Sequence, residues 1–275
     1  MIYILLPVHN RRKITEKFID CLIGQTYQKY HLVLIDDGSS DDTDKTIRSK
    51  LNKLTIIKGT GNWWWAGCLQ QGINWLKKNA LDEKNIIAFM NDDIAFDTQF
   101  LQKAIDLLGN QDILLHPQSI NQETGKIEET GVYANFKQLS FRPADSSENI
   151  NCLPTRCLFM NMSVLCRVGD LYPRFLPHYL SDYEFTIRAH NLGFSLITSP
   201  KLLITSHGEL NSFENHKVLT LTKFLRLYFS IKHPANPIYF TRFILLASPK
   251  LLIPLNVFKV WLICTIKILR QLISA

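Results

Sequence analysis

The stretch Ile86-Ile87-Ala88-Phe89-Met90-Asn91-Asp92-Asp93 decides the fold class. A short apolar run closed by turn residues reads as a buried strand, and this one ends abruptly in two adjacent carboxylates. In an open α/β sheet, ligands bind at the carboxyl ends of the strands. A hard divalent cation takes oxygen ligands, commonly one or two carboxylates plus substrate phosphates. The stretch therefore reads as a metal–diphosphate site built on Asp92 and Asp93 at the tip of a buried strand. A strand followed by an ordinary Asp-rich turn is the alternative, and the neighbouring sequence has to separate the two.

Working outward, the same pattern repeats. Ile2 to Val8 is an apolar run closed by Pro7-Val8-His9-Asn10, and Ile14, Phe18 and Leu22 then recur at helical spacing. His31 to Ile35 is a second strand, followed by Asp36-Asp37-Gly38-Ser39-Ser40-Asp41-Asp42 and a helix carrying Ile47 and Leu51. Leu54 to Ile57 reads as strand, Gly59 to Gly67 as loop and Leu69 to Leu76 as helix. Strands alternating with helices of this length imply βαβ units and a mainly parallel sheet. Residues 112 to 151 are less regular and read as short strands and loop. Leu153 to Met160 reads as strand and Ser181 to Leu192 as helix with Gly193 as its stop. Phe194 to Thr198 and Leu202 to Thr205 read as two further runs, the second ending at Ser206-His207-Gly208.

The polar clusters sit at the ends of these runs. A carboxylate at Asp36 is placed to accept hydrogen bonds from a base or ribose, while Ser40 or Asp41 suits a helix N-cap; a solvated Asp-Gly turn is the plainer reading. Trp63-Trp64-Trp65, between Gly61-Asn62 and Ala66-Gly67, cannot all face one core. At least one should be partly exposed, where a flat ring suits a sugar or lipid. In Leu176-Pro177-His178-Tyr179-Leu180-Ser181-Asp182-Tyr183-Glu184, two carboxylates stand at a helix start, where the dipole alone favours them. Glu184 has Arg188 four residues on and so suits a structural pair, which leaves Asp182 as a candidate general base for an attacking hydroxyl. His207 is a lone histidine at a strand end; were it to reach Asp93, the mixed site would suit manganese as well as magnesium.

Composition narrows the function. The chain has 275 residues and a net charge of +7, but residues 215 to 275 contain nine Lys and Arg and no acid, so the first 214 residues carry a net −2. That argues against a nucleic-acid surface on the main body and places the basic character in the tail. The six cysteines form no Cys-x-x-Cys pair, which disfavours structural zinc and fits reduced thiols in a cytosolic protein. The N-terminus lacks the cationic region of a signal peptide. There is no Gly-x-Gly-x-x-Gly after the first strand, no P-loop and no Gly-x-Ser-x-Gly elbow. In the tail, Leu219 to Ile231 reads as a helix. No uncharged apolar stretch reaches the roughly 18 residues that span a bilayer. From Leu255 on, Asn256, Lys259, Lys267 and Arg270 share a helical face while Val257, Trp261, Leu262, Leu269 and Leu272 lie away from it. Such a helix suits a membrane interface, or packing on the main body or on a second subunit.

Together these residues resemble the family 2 glycosyltransferases of GT-A fold, and within them the rhamnosyltransferase-like bacterial enzymes of cell-surface polysaccharide synthesis. Pro7-Val8-His9-Asn10-Arg11 is similar to that family's opening strand and loop. Asp36-Asp37-Gly38-Ser39 is similar to its nucleotide-binding turn, and Gly61-Asn62-Trp63-Trp64-Trp65-Ala66-Gly67 to its Gly-Asn-x-Trp-Trp-x-Gly loop. Met90-Asn91-Asp92-Asp93 is similar to its metal motif, with Asn91 replacing the first Asp. The segment around Asp182 is similar to that carrying its base.

The resemblance implies an α/β GT-A catalytic domain over residues 1–215 and a basic amphipathic helical tail over 216–275. It implies inverting transfer from a nucleoside diphosphate sugar, first choice dTDP-rhamnose, with Mn2+ or Mg2+. The donor would lie on Pro7, His9, Asn10, Asp36, Asp37, Asn62, Trp65 and Gly67, and the metal on Asp92, Asp93 and His207. Asp182 would be the base. Trp64, Arg156, Tyr183 and Glu184 would face a saccharide or polyprenyl-diphosphate-linked acceptor, although Thr155 and Cys157 stand where glycines are common. The implied location is the cytoplasmic face of the inner membrane, with the tail on its inner leaflet. A silent nucleotide-sugar or glycolipid binding protein, and a membrane scaffold acting through its tail, are the alternatives from other classes.

Overall fold

The computed structural model of the protein describes residues 1–79, 82–121, 124–145, 149–206 and 220–273. Its centre is a mixed sheet. Strands β1 (Ile2–Val8), β2 (Tyr30–Asp36), β3 (Leu54–Lys58) and β4 (Ile86–Met90) are parallel, in the order β3-β2-β1-β4. Helices α1 (Arg12–Ile23), α2 (Thr43–Lys50) and α3 (Trp64–Lys78) make the crossovers. Alternation along β1 explains the layering. Ile2, Ile4, Leu6 and Val8 pack with Phe18, Ile19 and Leu22 of α1 on one face. Tyr3 and Leu5 pack with Leu69, Ile73 and Leu76 of α3 on the other. A strand covered on both faces has no room for polar residues, so each one is an unbroken apolar run.

Beyond β4 the sheet departs from the simple pattern. Strand β5 (Ile94–Ala95) and helix α4 (Phe100–Leu108) lead to β6 (Ile113–Ile120), a full sheet strand inside the segment expected to be irregular. Then come β7 (Ile127–Glu129), the hairpin β8 (Val132–Asn135) with β9 (Ser140–Pro143), and β10 (Cys157–Asn161). Strand β10 inserts antiparallel between β4 and β6. The two runs expected around Pro200 form one strand, β11 (Ser195–Ser206), parallel to β6 with a register shift between Ser199 and Leu203. Proline there lacks the ladder donor, so the strand bulges instead of ending. Six of the nine strands of this sheet run the same way, as a mainly parallel sheet requires. Helix α5 (Met162–Val168) and helix α6 (Ser181–Asn191) complete the main body, and all six cysteines are free thiols.

The tail is helical: α7 (Leu221–Tyr228), α8 (Pro237–Ala247), a short 3-10 turn over Lys250–Leu252 and α9 (Ile253–Ile273). The 215/216 boundary lies outside the described residues. The tail shares a core with the main body: Phe243 and Ile244 of α8 and Val260 of α9 pack with Val132, Ala134, Leu176 and Ile187. The expected polar face of α9 is partly inverted. Asn256 is fully buried and hydrogen-bonded to Ser248, and Lys259 donates to the Lys137 carbonyl. The opposite face leaves Leu251, Leu255, Phe258, Trp261, Leu262, Ile266 and Leu269 exposed. By length and composition alone, Lys250–Arg270 is apolar enough to cross a membrane, because the two or fewer charges in its best window do not offset the rest. The uninterrupted-stretch criterion applied to the sequence missed this.

Candidate active site

The carboxyl ends of β1 and β2 are laced into one unit. Asn10 takes a left-handed conformation, φ 52°, which Asn tolerates better than most residues. From there its side-chain oxygen accepts from the Ser40 N–H (2.7 Å), its N–H donates to the Ser39 hydroxyl (2.9 Å) and its amide meets His9 Nε2 (3.1 Å). His9 Nδ1 lies 2.6 Å from the Asp37 carbonyl. Asp36, the sequence's favoured ligand here, is fully buried: its Oδ1 accepts from the Ser39 N–H, closing the turn. It is Asp37 that reaches the cavity, because the turn residue projects past the end of the sheet. Asp41 accepts from the Thr43 N–H and hydroxyl at the start of α2, but the N-cap position falls on Asp42, which makes no side-chain cap bond, and not on Ser40 or Asp41.

Asp37 also builds the tryptophan loop. Its Oδ1 accepts from the Gly61 N–H (2.7 Å) and its Oδ2 from the N–H groups of Trp63 (2.8 Å) and Trp64 (3.2 Å). These bonds start α3 at Trp64, five residues before the apolar periodicity announces it at Leu69. Trp63 packs into the core. Gly67 is buried beneath it, where an added Cβ would meet the Trp63 Cβ at 3.1 Å, so Gly67 serves packing. Asn62 is exposed and not part of the cavity wall. Trp64 and Trp65 both line a cavity of about 450 Å³, with Pro7, His9, Arg11, Asp37, His178, Tyr179 and Lys232.

The three residues after β4 divide their work. Asn91 Oδ1 accepts from the Trp65 indole N–H at 2.9 Å. Asp92 is 3% exposed and both of its oxygens are engaged: Oδ2 accepts from the Thr15 hydroxyl at 2.8 Å and Oδ1 lies 3.2 Å from Arg11 Nε. Burial pushes its carboxyl up to about 6, against the pull of Arg11. Asp93 is 18% exposed; Oδ2 faces Arg11 at 3.5 Å and its buried Oδ1 has no hydrogen-bond partner. An unsatisfied carboxylate oxygen suits a hard cation, so Asp93 fits a metal and Asp92 fits Arg11. Among the described residues no group of three His, Cys, Asp or Glu is placed to hold a metal. His207 lies outside them.

Asp182 stands in the first turn of α6, after Leu180 in a left-handed conformation (φ 68°). Burial raises its carboxyl to about 6, with the Glu129 charge adding to the rise. Glu129 is itself raised by burial and by Asp93, while Arg156 opposes, its Nε 3.3 Å from Glu129 Oε2. Asp93, Glu129, Arg156 and Asp182 thus form one electrostatic group. Glu184 is turned away: its oxygens accept from Arg188 at 2.8 and 3.0 Å. That is the structural pair its spacing predicted, which removes Glu184 from the acceptor side. Tyr183 packs on Phe141 and lines a smaller cavity of about 210 Å³ with Glu129 and Pro154. Sequence reasoning passed over Thr15, Glu129 and Lys232. Arg11 was readable only as part of the opening motif.

The fold agrees with what comparison finds. Residues 3–166 match the family described as Glycosyl transferase family 2. The chain is 23% identical over 230 residues to the amylovoran biosynthesis glycosyltransferase AmsB of Erwinia amylovora, covering 78% of this chain and 72% of that protein. It is similar in structure to the mannosyltransferase PcManGT of Pyrobaculum calidifontis, solved with GDP-Man and Mn2+: TM-score 0.57, 15% identity, 94% of this chain and 73% of that one. It is also similar to S. aureus TarS 1–349, solved with UDP-GlcNAc: TM-score 0.57, 13% identity, 94% and 71%. At these identities the structural likenesses carry the fold alone.

Proposed function

The chain belongs to glycosyl transferase family 2 and is a glycosyltransferase of GT-A fold using a nucleotide sugar, and on that premise we propose an inverting, metal-assisted transfer to an acceptor hydroxyl. The observation that carries this reading is the buried, unpartnered Oδ1 of Asp93, whose other carboxylate oxygen faces Arg11, a residue that lines the 450 Å³ cavity. The cavity takes the donor. Trp64 and Trp65 offer it flat apolar walls with polar edges, and His9, Asp37 and Asn10 fix the surface on which base and ribose rest. Arg11, anchored by Asp92, faces the diphosphate. A divalent cation held by Asp93 would supply charge neutralisation at the leaving diphosphate. Asp182 takes the proton from the acceptor hydroxyl, and Arg156, Glu129 and Tyr183 shape the acceptor side. A rhamnosyl donor suits the tryptophan wall, since its C6 is a methyl group.

The tail supports a location at a membrane surface. Its docked face carries Val260 and the buried Asn256, while its free face is an apolar strip rimmed by Lys250 and Arg270 with no acid anywhere along residues 215–275. A helix held on a domain by one face and apolar on the other lies along an interface more readily than it crosses one. A polyprenyl-diphosphate-linked acceptor would meet the enzyme there. The test is release of nucleoside diphosphate from a panel of nucleotide sugars, dTDP-rhamnose first, with lipid extract and with Mn2+, Mg2+ or EDTA. Metal-dependent release from one donor is expected. Donor binding without any release would favour the silent binding protein instead.

A further inference from the structure

The donor cavity has a wall that comes from the tail. Lys232, in the turn between α7 and α8, lines it beside Trp64 and His178. Its ammonium sits 6.0 Å from the Trp64 ring centroid. The turn that presents it is built and held. The Lys232 N–H donates to the Ser230 hydroxyl at 3.2 Å. Asn236, almost fully buried, donates to the Ser230 carbonyl at 3.0 Å and accepts from the Ile238 N–H at 2.9 Å, capping α8. Helix α8 is fixed to the main body by Phe243 and Ile244, and Arg242 donates to the Phe175 carbonyl.

The charges in this cavity are unevenly committed. Arg11 is tied to Asp92 and Asp93, and the Asp37 carboxylate is occupied by three backbone N–H groups. Among the described residues no carboxylate pairs with Lys232. A cation lining a cavity with no counter-ion among the described residues is placed for an anionic ligand, and its ammonium is a point-charge phosphate binder. We propose that Lys232 is a diphosphate-binding residue of the donor site, so that the C-terminal helices complete that site as well as anchoring the protein. This rests on reading the cavity as the donor site. The lysine then meets the phosphates in the cavity that Arg11 also lines, beside the Trp64 ring.

The experiment is calorimetric titration of the full chain, in constant Mg2+, with a nucleoside, its monophosphate and its diphosphate. For Lys232→Gln the diphosphate should bind about tenfold more weakly, the loss expected for one charge-assisted bond, with nucleoside affinity and thermal midpoint unchanged. Lys232→Arg keeps a cation and should stay within about threefold of the natural protein. Equal losses for nucleoside and diphosphate would overturn the proposal, since that is the signature of a lysine that merely packs on Trp64. Unchanged diphosphate affinity in Lys232→Gln would overturn it too. Failure of the natural chain to bind any nucleoside diphosphate would refute the donor-site reading itself, and this proposal with it.

Discussion

The role of Asp182 can be tested through its own titration. A carboxyl held near 6 is about nine-tenths ionised at pH 7 and about one-tenth at pH 5. If the ionised form is the base, kcat/KM for the acceptor at saturating donor should fall about tenfold between those values, with unit slope below pH 6. Asp182→Asn should lose about 10²–10⁴ in kcat and keep its donor affinity, because Asp182 is not part of the donor cavity wall. Stability should move the other way. The folded value lies above the ordinary 3.8, so the stability this group contributes is fully present below the unfolded value and lost as pH rises through about 6. The Asn variant should therefore be no less stable than the natural protein at pH 7, and its stability should vary less between pH 4 and 6. Asp92 titrates in the same window, but through Arg11 it should register in donor KM. Steady-state kinetics over pH 5–8 with thermal melts on both proteins is the assay. More than about a tenth of kcat surviving in Asp182→Asn, or a flat wild-type profile from pH 5 to 7, would refute the reasoning.

Other outcomes follow from the same geometry. Thr15→Val strips the Asp92 carboxylate of its hydroxyl donor and should cost about 1–3 kcal/mol in a denaturant melt. Glu184→Gln weakens a buried pair with Arg188; a loss of about 3 kcal/mol is expected, with kcat/KM intact in the folded protein, and a catalytic defect would return Glu184 to the acceptor site. Gly59→Ala puts a Cβ 2.5 Å from Asp37 Oδ1 and 2.7 Å from the Trp63 ring. Displacing that loop should weaken donor binding at least about tenfold while costing about 1–3 kcal/mol of stability. Dialysis against EDTA should abolish turnover without lowering the melting temperature, since Arg11 remains as a counter-charge for Asp93 when the cation is removed.

The first four strands were legible because each is a short apolar run closed by Gly, Asp or Pro, and period alone identifies such a run. Strand β6 was not, because His116-Pro117-Gln118-Ser119 interrupts it with residues buried for reasons of tertiary context: His116 is fully buried against the Cys157 carbonyl. Nor does a local sequence encode direction, so the antiparallel insertion of β10 left no mark. The site divides the same way. The Glu184–Arg188 pair was readable because its partner is one helical turn away. The division between Asp92 and Asp93 depends on Thr15 and Arg11, nearly eighty residues upstream. Glu129 sits in a segment with no periodicity to flag it. The acid-free tail was visible in composition, but its docking on the β8–β9 hairpin needed the fold.

The Asn at position 91, a departure from a paired-Asp metal motif, has a physical reason in the packing. Its oxygen is already spent on the Trp65 indole, and a carboxylate there would place a third negative charge beside Asp92 and Asp93. Burial already raises the Asp92 carboxyl to about 6, with Arg11 as its counter-charge. Adding charge would raise it further and loosen Arg11, the cation that also steadies Asp93. The arrangement keeps one charge for Arg11 and one oxygen free. On the proposed reading, a cation resting on one protein carboxylate is weakly held until the phosphates of the donor complete its oxygen shell. Metal and donor then bind as a linked pair, each raising the affinity of the other by the same factor. A site with two free carboxylates would hold the metal without waiting for the sugar nucleotide.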